Sequence, residues 1–263
     1  MKKLMALLLA ALLVLGSVSA LADGDLLAQI QERGTLIIAT EGNWSPWTYH
    51  DLETDELVGL DIEIGTLIAE GLGVTPDFRE TDWDAILAGV KSGTFDIACN
   101  GVGYTEARAE AYSFSTPYVY TRKVLVVRSD NEDIKTIEDL KGRKTANSPN
   151  STYADLAEEQ GATVTYVSTL AETIMELTMG RVDATINAEV SIMDYLREHP
   201  DANIKVVQIL EGDPVAYPMY KGDRVDATSL VEAVNAILQE ARDNGKLAEI
   251  SMKYFGVDMT TPE

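Results

Sequence analysis

The stretch Phe95-Asp-Ile-Ala-Cys-Asn-Gly-Val-Gly-Tyr-Thr-Glu-Ala-Arg108 decides how the chain is read. Phe95–Cys99 is an apolar run of strand length. Gly101 and Gly103 follow, and then Thr105, a residue type that caps helix starts by accepting a backbone N–H. Strand, glycine turn and helix start in that order make a βα unit. One residue breaks the local rule: Arg108 falls in the first helical turn, where the helix dipole disfavours positive charge. Glycines allow close backbone approach, and the free N–H groups of a helix start together with a guanidinium fork make a cradle for a carboxylate. A bound anion would offset the placement of Arg108. Pairing with Glu110 would do so too, and this stretch alone leaves both readings open.

Working outward, the same alternation fills the chain, which predicts an α/β fold. Upstream come a helix at Leu26–Arg33, a strand at Thr35–Thr40, a helix from Leu60 to Leu72, extended chain from Thr75, and a helix from Asp82 through Lys91. A second series starts with Lys123–Arg128. It continues through a helix at about Ser151–Gln160, a strand at Thr163–Val167, a helix at Leu170–Met179, a strand at Val182–Asn187, a helix at Val190–Glu198 and a strand at Ile204–Leu210. After an extended Pro214–Tyr220, two helices close the chain, Val225–Asp243 and Lys246–Tyr254. Two series of about a hundred residues each predict two lobes. Lys123–Arg128 and Pro214–Tyr220 are the expected crossings. If both cross, the last helices return to the first lobe; a second domain running to the C-terminus is the competing layout. The expected division is 1–22 leader, 23–124 with 218–263 as lobe 1, and 125–217 as lobe 2.

The leader is read from Lys2 and Lys3, the apolar Leu4–Val14 and the small-residue site Ala20-Leu-Ala22 before Asp23. Its apolar run falls short of the ~20 residues that span a bilayer. No cysteine stands at the cleavage point to carry a lipid, and no second apolar stretch of spanning length follows. The mature chain is therefore expected to be exported and soluble, in the periplasm or secreted. The formal charge of −22 becomes −24 once Lys2 and Lys3, the only charges of the leader, are removed. That balance argues against nucleic acid or an anionic membrane as partner. The single cysteine, Cys99, has no internal disulfide partner and reads as a small buried hydrophobe.

The motifs in sequence order resemble family 3 extracellular solute-binding proteins, the amino-acid receptors of ABC importers. The resemblance is carried by Gly93-x-Phe-Asp96, Thr105-x-x-Arg108 and Phe114-Ser-Thr-Pro-Tyr118. Leu57-Val-Gly-Leu-Asp61, Gly180-Arg-Val-Asp-Ala184 and Tyr254-Phe-Gly256 add to it, and together these blocks cover essentially the whole mature chain. Asp139-Leu-Lys-Gly142 and Asp194-Tyr-Leu196 make the second lobe most similar to the cystine and polar amino-acid subgroup. The resemblance implies a two-lobe type II periplasmic-binding fold with two hinge strands and the ligand in the interlobe cleft. It also implies a monomer that closes on an amino acid and docks transiently on ABC permease subunits.

Carried onto this chain, the resemblance gives Arg108 the ligand carboxylate, helped by the Gly103 N–H, and gives the Gly101 carbonyl the ligand ammonium. Trp44 and Trp83, at exits from strands where α/β sheets place ligands, become walls for the ligand side chain; core packing is the alternative for either. Trp47 is expected beneath the site. Glu41 and Asn43, on the loop of Trp44, are within reach of polar ligand groups; plain surface acidity is the alternative for Glu41. In the second lobe, Asn147-Ser-Pro-Asn-Ser-Thr152 opens a helix, and Pro149 stands where relatives carry a backbone donor. Ser148, Asn150 and Ser151 are the candidate contacts there; capping the helix is the alternative for each. Asn187 closes the following strand. The aspartate that relatives place next, for the ligand ammonium, is Ala188 here, so Glu189 is expected to replace it, with Glu41 as the alternative.

Nothing in the chain points to a catalytic group, cofactor or metal. His50 and His199 read as surface residues, no serine sits in a nucleophile elbow, and no His/Cys/Asp grouping has ligand spacing. A dehydratase on the same fold, using Glu41 or Glu189 as acid or base, and a ligand-sensing module are the alternative readings.

Overall fold

The computed structural model describes residues 24–262; the expected leader at 1–22 lies outside the described residues. The first series runs α1 (Leu26–Arg33), β1 (Thr35–Thr40), β2 (Asn43–Trp44), β3 (Thr48–His50), β4 (Leu57–Val58), α2 (Leu60–Gly71), β5 (Thr75–Glu80), α3 (Trp83–Ser92), β6 (Ile97–Ala98), α4 (Glu106–Ala111) and β7 (Ser113–Phe114). Next come β8 (Val119–Tyr120), β9 (Lys123–Arg128), a 3-10 turn at Ile137–Leu140, β10 (Lys144–Asn147), α5 (Thr152–Glu159), β11 (Thr163–Tyr166), α6 (Leu170–Thr178), β12 (Ala184–Ala188), α7 (Glu189–Glu198) and β13 (Ile204–Leu210). The chain ends with β14 (Pro214–Val215), β15 (Pro218–Met219), α8 (Thr228–Asp243) and α9 (Lys246–Phe255).

Two five-stranded sheets organise these elements into two α/β lobes: β5-β1-β6-β15-β7 in the first and β11-β10-β12-β9-β13 in the second. β1 is parallel to both neighbours, and such a strand is covered on both faces. Leu36 and Ile38 accordingly join a core with α1, α2, α8 and α9, while Ala39 packs with Ile86 and Val90 of α3 on the other face. Leu230, Val234 and Leu238 of α8 and Leu247 and Ile250 of α9 lie in the core that holds β1 and α2. The closing helices therefore pack on the first sheet.

The second sheet corrects one expectation. Lys123–Arg128 is not a crossing but an interior strand, antiparallel to β12 on one side and β13 on the other. The reason is its composition: Val124, Leu125, Val126 and Val127 are all fully buried, Val124 and Val126 in one core and Leu125 and Val127 in another. The strands that pass between the sheets are the two-residue β8 and β14, paired antiparallel through Val119–Val215 and Tyr120–Pro214.

Candidate functional site

The turn after β6 reaches the space between the lobes. Gly101 has φ +56, and a Cβ there would lie 2.7 Å from the Trp44 ring and 3.0 Å from Trp47; only glycine meets both demands. Trp44 and Trp47 stack at 5.4 Å. Trp47 is fully buried and stands edge-on to Phe255, beneath the site as expected. Gly103 is flanked by the bonds Tyr104 N–H to Pro214 O and Ala216 N–H to Val102 O, neither of which uses its own N–H. Thr105 Oγ1 accepts the Arg108 N–H at 3.1 Å, the expected cap. The Arg108 guanidinium then donates to the Gly103 and Asn150 carbonyls, both at 2.8 Å, and lies 5.6 Å from the Trp83 ring centroid. Burial lowers its pKa, opposed by the nearby charges of Asp155 and Asp213. Among the described residues no bond joins Arg108 to Glu110, so the second reading of that arginine drops out.

Glu41 follows β1 directly and is held by Asn100. The Asn100 Nδ2 donates to Glu41 Oε2 at 2.6 Å, and its Oδ1 accepts the Glu41 N–H at 2.9 Å. The Thr48 hydroxyl donates to the same Oδ1 at 3.2 Å; the Glu41 N–H, which can only donate, fixes the amide with its own donor toward the carboxylate. Desolvation raises the Glu41 carboxyl to about 7, with the Asn100 bond opposing and Asp82 adding to the rise. Glu41, Asn43, Trp44, Trp83, Gly101, Gly103 and Arg108 all line one cleft of about 730 Å³ of empty space, its open mouth included.

The second lobe closes the cleft with two helix starts. Ser151 Oγ caps α5 by accepting the Ala154 N–H at 3.1 Å and donates to the Ser148 carbonyl at 2.7 Å. Ser148 and Ser151 line the cleft, as do Ser168 and Thr169 ahead of α6, and Asn187 at the end of β12. Asn150 differs from expectation. It sits at φ +58 and meets Arg108 through its carbonyl, while its side chain is not among the groups lining the cleft. The lobes touch at two points: Trp83 Nε1 donates to the Pro149 carbonyl at 3.0 Å, and Ser45 Oγ to Asp194 Oδ2 at 2.6 Å.

Glu189 is the clear correction. Its carboxylate takes two bonds from the Arg122 guanidinium, at 2.6 and 3.1 Å, and it lines a separate groove with Tyr120, Met193 and Asp194. The cause is local. The chain turns into α7 at Ala188, and the Glu189 N–H bonds the Arg122 carbonyl at 2.9 Å, so the side chain is drawn to that arginine. The sequence reading missed Lys123 and Asp213. They pair at 2.8 Å, are 12% and 23% exposed, and both line the cleft. Asp213 Oδ2 lies 3.2 Å from where a Gly103 Cβ would stand, so the glycine makes room for this carboxylate. The signal for Asp213 was its place just before Pro214, where the second expected crossing begins.

Aromatic walls, a half-buried arginine and separate carboxylates in a cleft between two α/β lobes joined by two strands define a two-lobed solute-binding protein. The chain belongs to the bacterial extracellular solute-binding proteins, family 3, whose profile matches residues 36–257. It is 40% identical over 238 residues to the L-cystine-binding protein TcyA of Bacillus subtilis (strain 168), covering 90% of this chain and 87% of that one. It is 36% identical over 239 residues to a probable amino-acid ABC transporter-binding protein of Haemophilus influenzae, covering 90% and 91%. Among solved structures, an ancestral arginine-binding protein bound to arginine matches with a TM-score of 0.78 at 34% identity, over 85% of this chain and 99% of that one.

Proposed function

We propose that this chain is the extracytoplasmic substrate-binding protein of an amino-acid ABC importer. It captures a polar amino acid or cystine by closing its cleft and presents the closed form, as a monomer, to the permease subunits. The lobes divide at 121–122 and 211–213, a few residues from the boundaries expected at 124 and 217, because β9 belongs wholly to the second sheet. Following a leader at 1–22, the mature chain works outside the cytoplasmic membrane; among the described residues no helix is long and apolar enough to cross one.

The observation that carries the reading is that Arg108 and Asp213 line one cleft, with the Asp213 charge near enough to act on the Arg108 guanidinium. Arg108 takes the ligand carboxylate with the Gly103 N–H, exchanging the carbonyls it now holds for an ionised partner. Asp213, not Glu189, takes the α-ammonium with the Gly101 carbonyl. An ammonium buried without a carboxylate would be costly, and Asp213 shares the cleft while Glu189 does not. The Glu41 carboxylate is held by Asn100 rather than by Arg108, so it forms a separate polar station with Asn43 in the cleft that Trp44 and Trp83 also line. A ligand with a second cationic or hydrogen-bond-donating end satisfies both stations. Cystine, with an ammonium and a carboxylate at each end, matches the two cleft cations, Arg108 and Lys123, and the two cleft acids, Glu41 and Asp213.

A thermal-shift screen of the twenty amino acids and L-cystine tests this. At a hundredfold excess over its dissociation constant a true ligand stabilises the native state by ~2.7 kcal/mol. No shift with any of them would overturn the reading. The dehydratase alternative draws on Glu41, whose carboxyl near neutrality suits acid–base work. Turnover of a cyclic amino-acid precursor, lost in Glu41→Gln, would establish that alternative instead.

A further inference from the structure

Asp61 stands in the first turn of α2 with its side chain fully buried, and none of the cleft chemistry above uses it. Its Oδ1 accepts the Tyr118 hydroxyl at 2.6 Å and the Tyr217 hydroxyl at 2.9 Å, and its Oδ2 accepts the Gly101 N–H at 2.5 Å. All three partners are donors, so the site calls for an ionised acceptor. The three bonds oppose a desolvation that raises the carboxyl to about 6. The two tyrosine rings stack at 4.1 Å, 9° from parallel.

The origins of the three donors matter more than their number. Tyr118 immediately precedes β8, and Tyr217 lies between β14 and β15. They are the residues at which the two crossing strands meet the first lobe. Gly101 begins the cleft turn that carries Gly103 toward Arg108. One carboxylate thus holds the cleft turn and both crossing strands at a single point. Backbone bonds reinforce the same end: Tyr118 N–H to Val215 O at 3.0 Å, Tyr104 N–H to Pro214 O at 2.7 Å and Tyr120 N–H to Met259 O at 2.7 Å. Beyond the ribbon, only Thr121–Arg122 and Glu211–Asp213 separate it from β9 and β13 of the second sheet. These short connectors run in contact, a Cβ on Gly212 falling 1.1 Å from the Thr121 carbonyl oxygen.

We propose that Asp61 is a positioning residue. It locks the cleft turn and the first-lobe ends of both crossing strands into one rigid body. Lobe rotation is then taken up in Thr121–Arg122 and Glu211–Asp213, and the Gly101–Arg108 side of the cleft keeps its shape as the lobes part. Closure by a few connector residues while packed bodies stay rigid is an established mode of domain motion. What is specific here is that the body on one side includes half of the binding cleft.

The test uses the ligand-free protein, so it stands or falls apart from the functional reading. In Tyr118→Phe with Tyr217→Phe, no cleft-lining side chain changes and the Gly101–Asp61 bond is still available. Hydrogen exchange at the Gly101 amide should nevertheless rise by about tenfold, a local opening that leaves the sheet intact. Amides of Leu36 and Ile38 in β1 should keep wild-type protection. Spin labels on Lys91→Cys and Lys141→Cys, exposed positions in the first and second lobes, should report a broader distance distribution than in the same labelled protein with both tyrosines. Cys99 is fully buried and stays unlabelled. Asp61→Asn, which offers an N–H₂ group to one of three donors, should do the same more strongly; where it does not fold, the double phenylalanine variant decides. Unchanged Gly101 exchange and an unchanged distance distribution would overturn the proposal. So would protection lost throughout β1, which would make Asp61 a general support of the first lobe.

Discussion

The Glu41 carboxyl makes affinity depend on pH in a direction that tests its role. Without ligand it titrates at about 7 because burial disfavours the charged form. A cationic ligand group beside it would favour that form and bring its pKa down. Binding then selects the ionised species and releases a proton between the two values. At pH 6 about one site in eleven is ionised, so affinity there should be about tenfold weaker than at pH 8, or ~1.4 kcal/mol. The same shift acts on folding with a definite sign. The folded pKa is raised above the ordinary 4.5, so the folded state holds a proton that the unfolded chain has lost. Stability is full below about 4.5 and falls as pH rises through 7, by roughly 3 kcal/mol in all. Glu41→Gln should therefore raise the ligand-free Tm above pH 7 while flattening the pH dependence of binding. Calorimetry with the best ligand from the screen, in buffers of different ionisation enthalpy, measures the proton directly: about half a proton released at pH 7. Proton uptake, or affinity at pH 6 equal to that at pH 8, would refute a cation at Glu41.

Asp213→Asn should weaken amino-acid binding by about thirtyfold or more, ~2 kcal/mol, the scale of truncating one partner of a desolvated pair. Glu189→Gln, measured by the same titration, should stay within about twofold of wild type because its carboxylate belongs to Arg122. Gly103→Ala should displace the Asp213 carboxylate, whose Oδ2 lies 3.2 Å from the new methyl position, and lower affinity by about tenfold with little change in Tm. Ser45→Ala removes the bond to Asp194 and should increase the radius of gyration of the ligand-free protein in solution scattering; an unchanged profile would mean that this bond does not hold the lobes together.

The lobes were legible because each βα unit announces itself by local means. Gly34 and Gly93 stop helices at positive φ, and Thr105 caps the helix that carries Arg108. Of the two crossings, the second was legible, since the extended Pro214–Tyr220 contains β14, and the first was not. β8 is two residues long, too short to show any period, whereas Lys123–Arg128 has the apolar run of an extended strand and drew the assignment to itself. A strand that leaves a sheet and one that sits in its middle differ in what covers them, and that is a tertiary fact. Trp44, Trp83, Gly101 and Arg108 were readable because they sit just beyond the ends of three strands, β1, β5 and β6. Lys123 and Asp213 meet from ninety residues apart, across connectors with no pattern of their own. Glu189 failed by a single turn of chain: where a strand ends and a helix begins decides which way a side chain points, and sequence places that boundary only to within a few residues. Asn100 gave no signal, since its role depends on Glu41, Thr40 and Thr48 converging on it.

The central claim is that Arg108 grips an amino-acid carboxylate in this cleft. Calorimetric titration of the purified wild-type chain and of Arg108→Ala with L-cystine and the twenty amino acids tests it most directly. The account predicts saturable binding of at least one of them by the wild type and loss of ~2–5 kcal/mol of that binding in Arg108→Ala, with cooperative unfolding retained in both ligand-free proteins. Equal affinity in the two proteins, or no binding by a folded wild type, would contradict it.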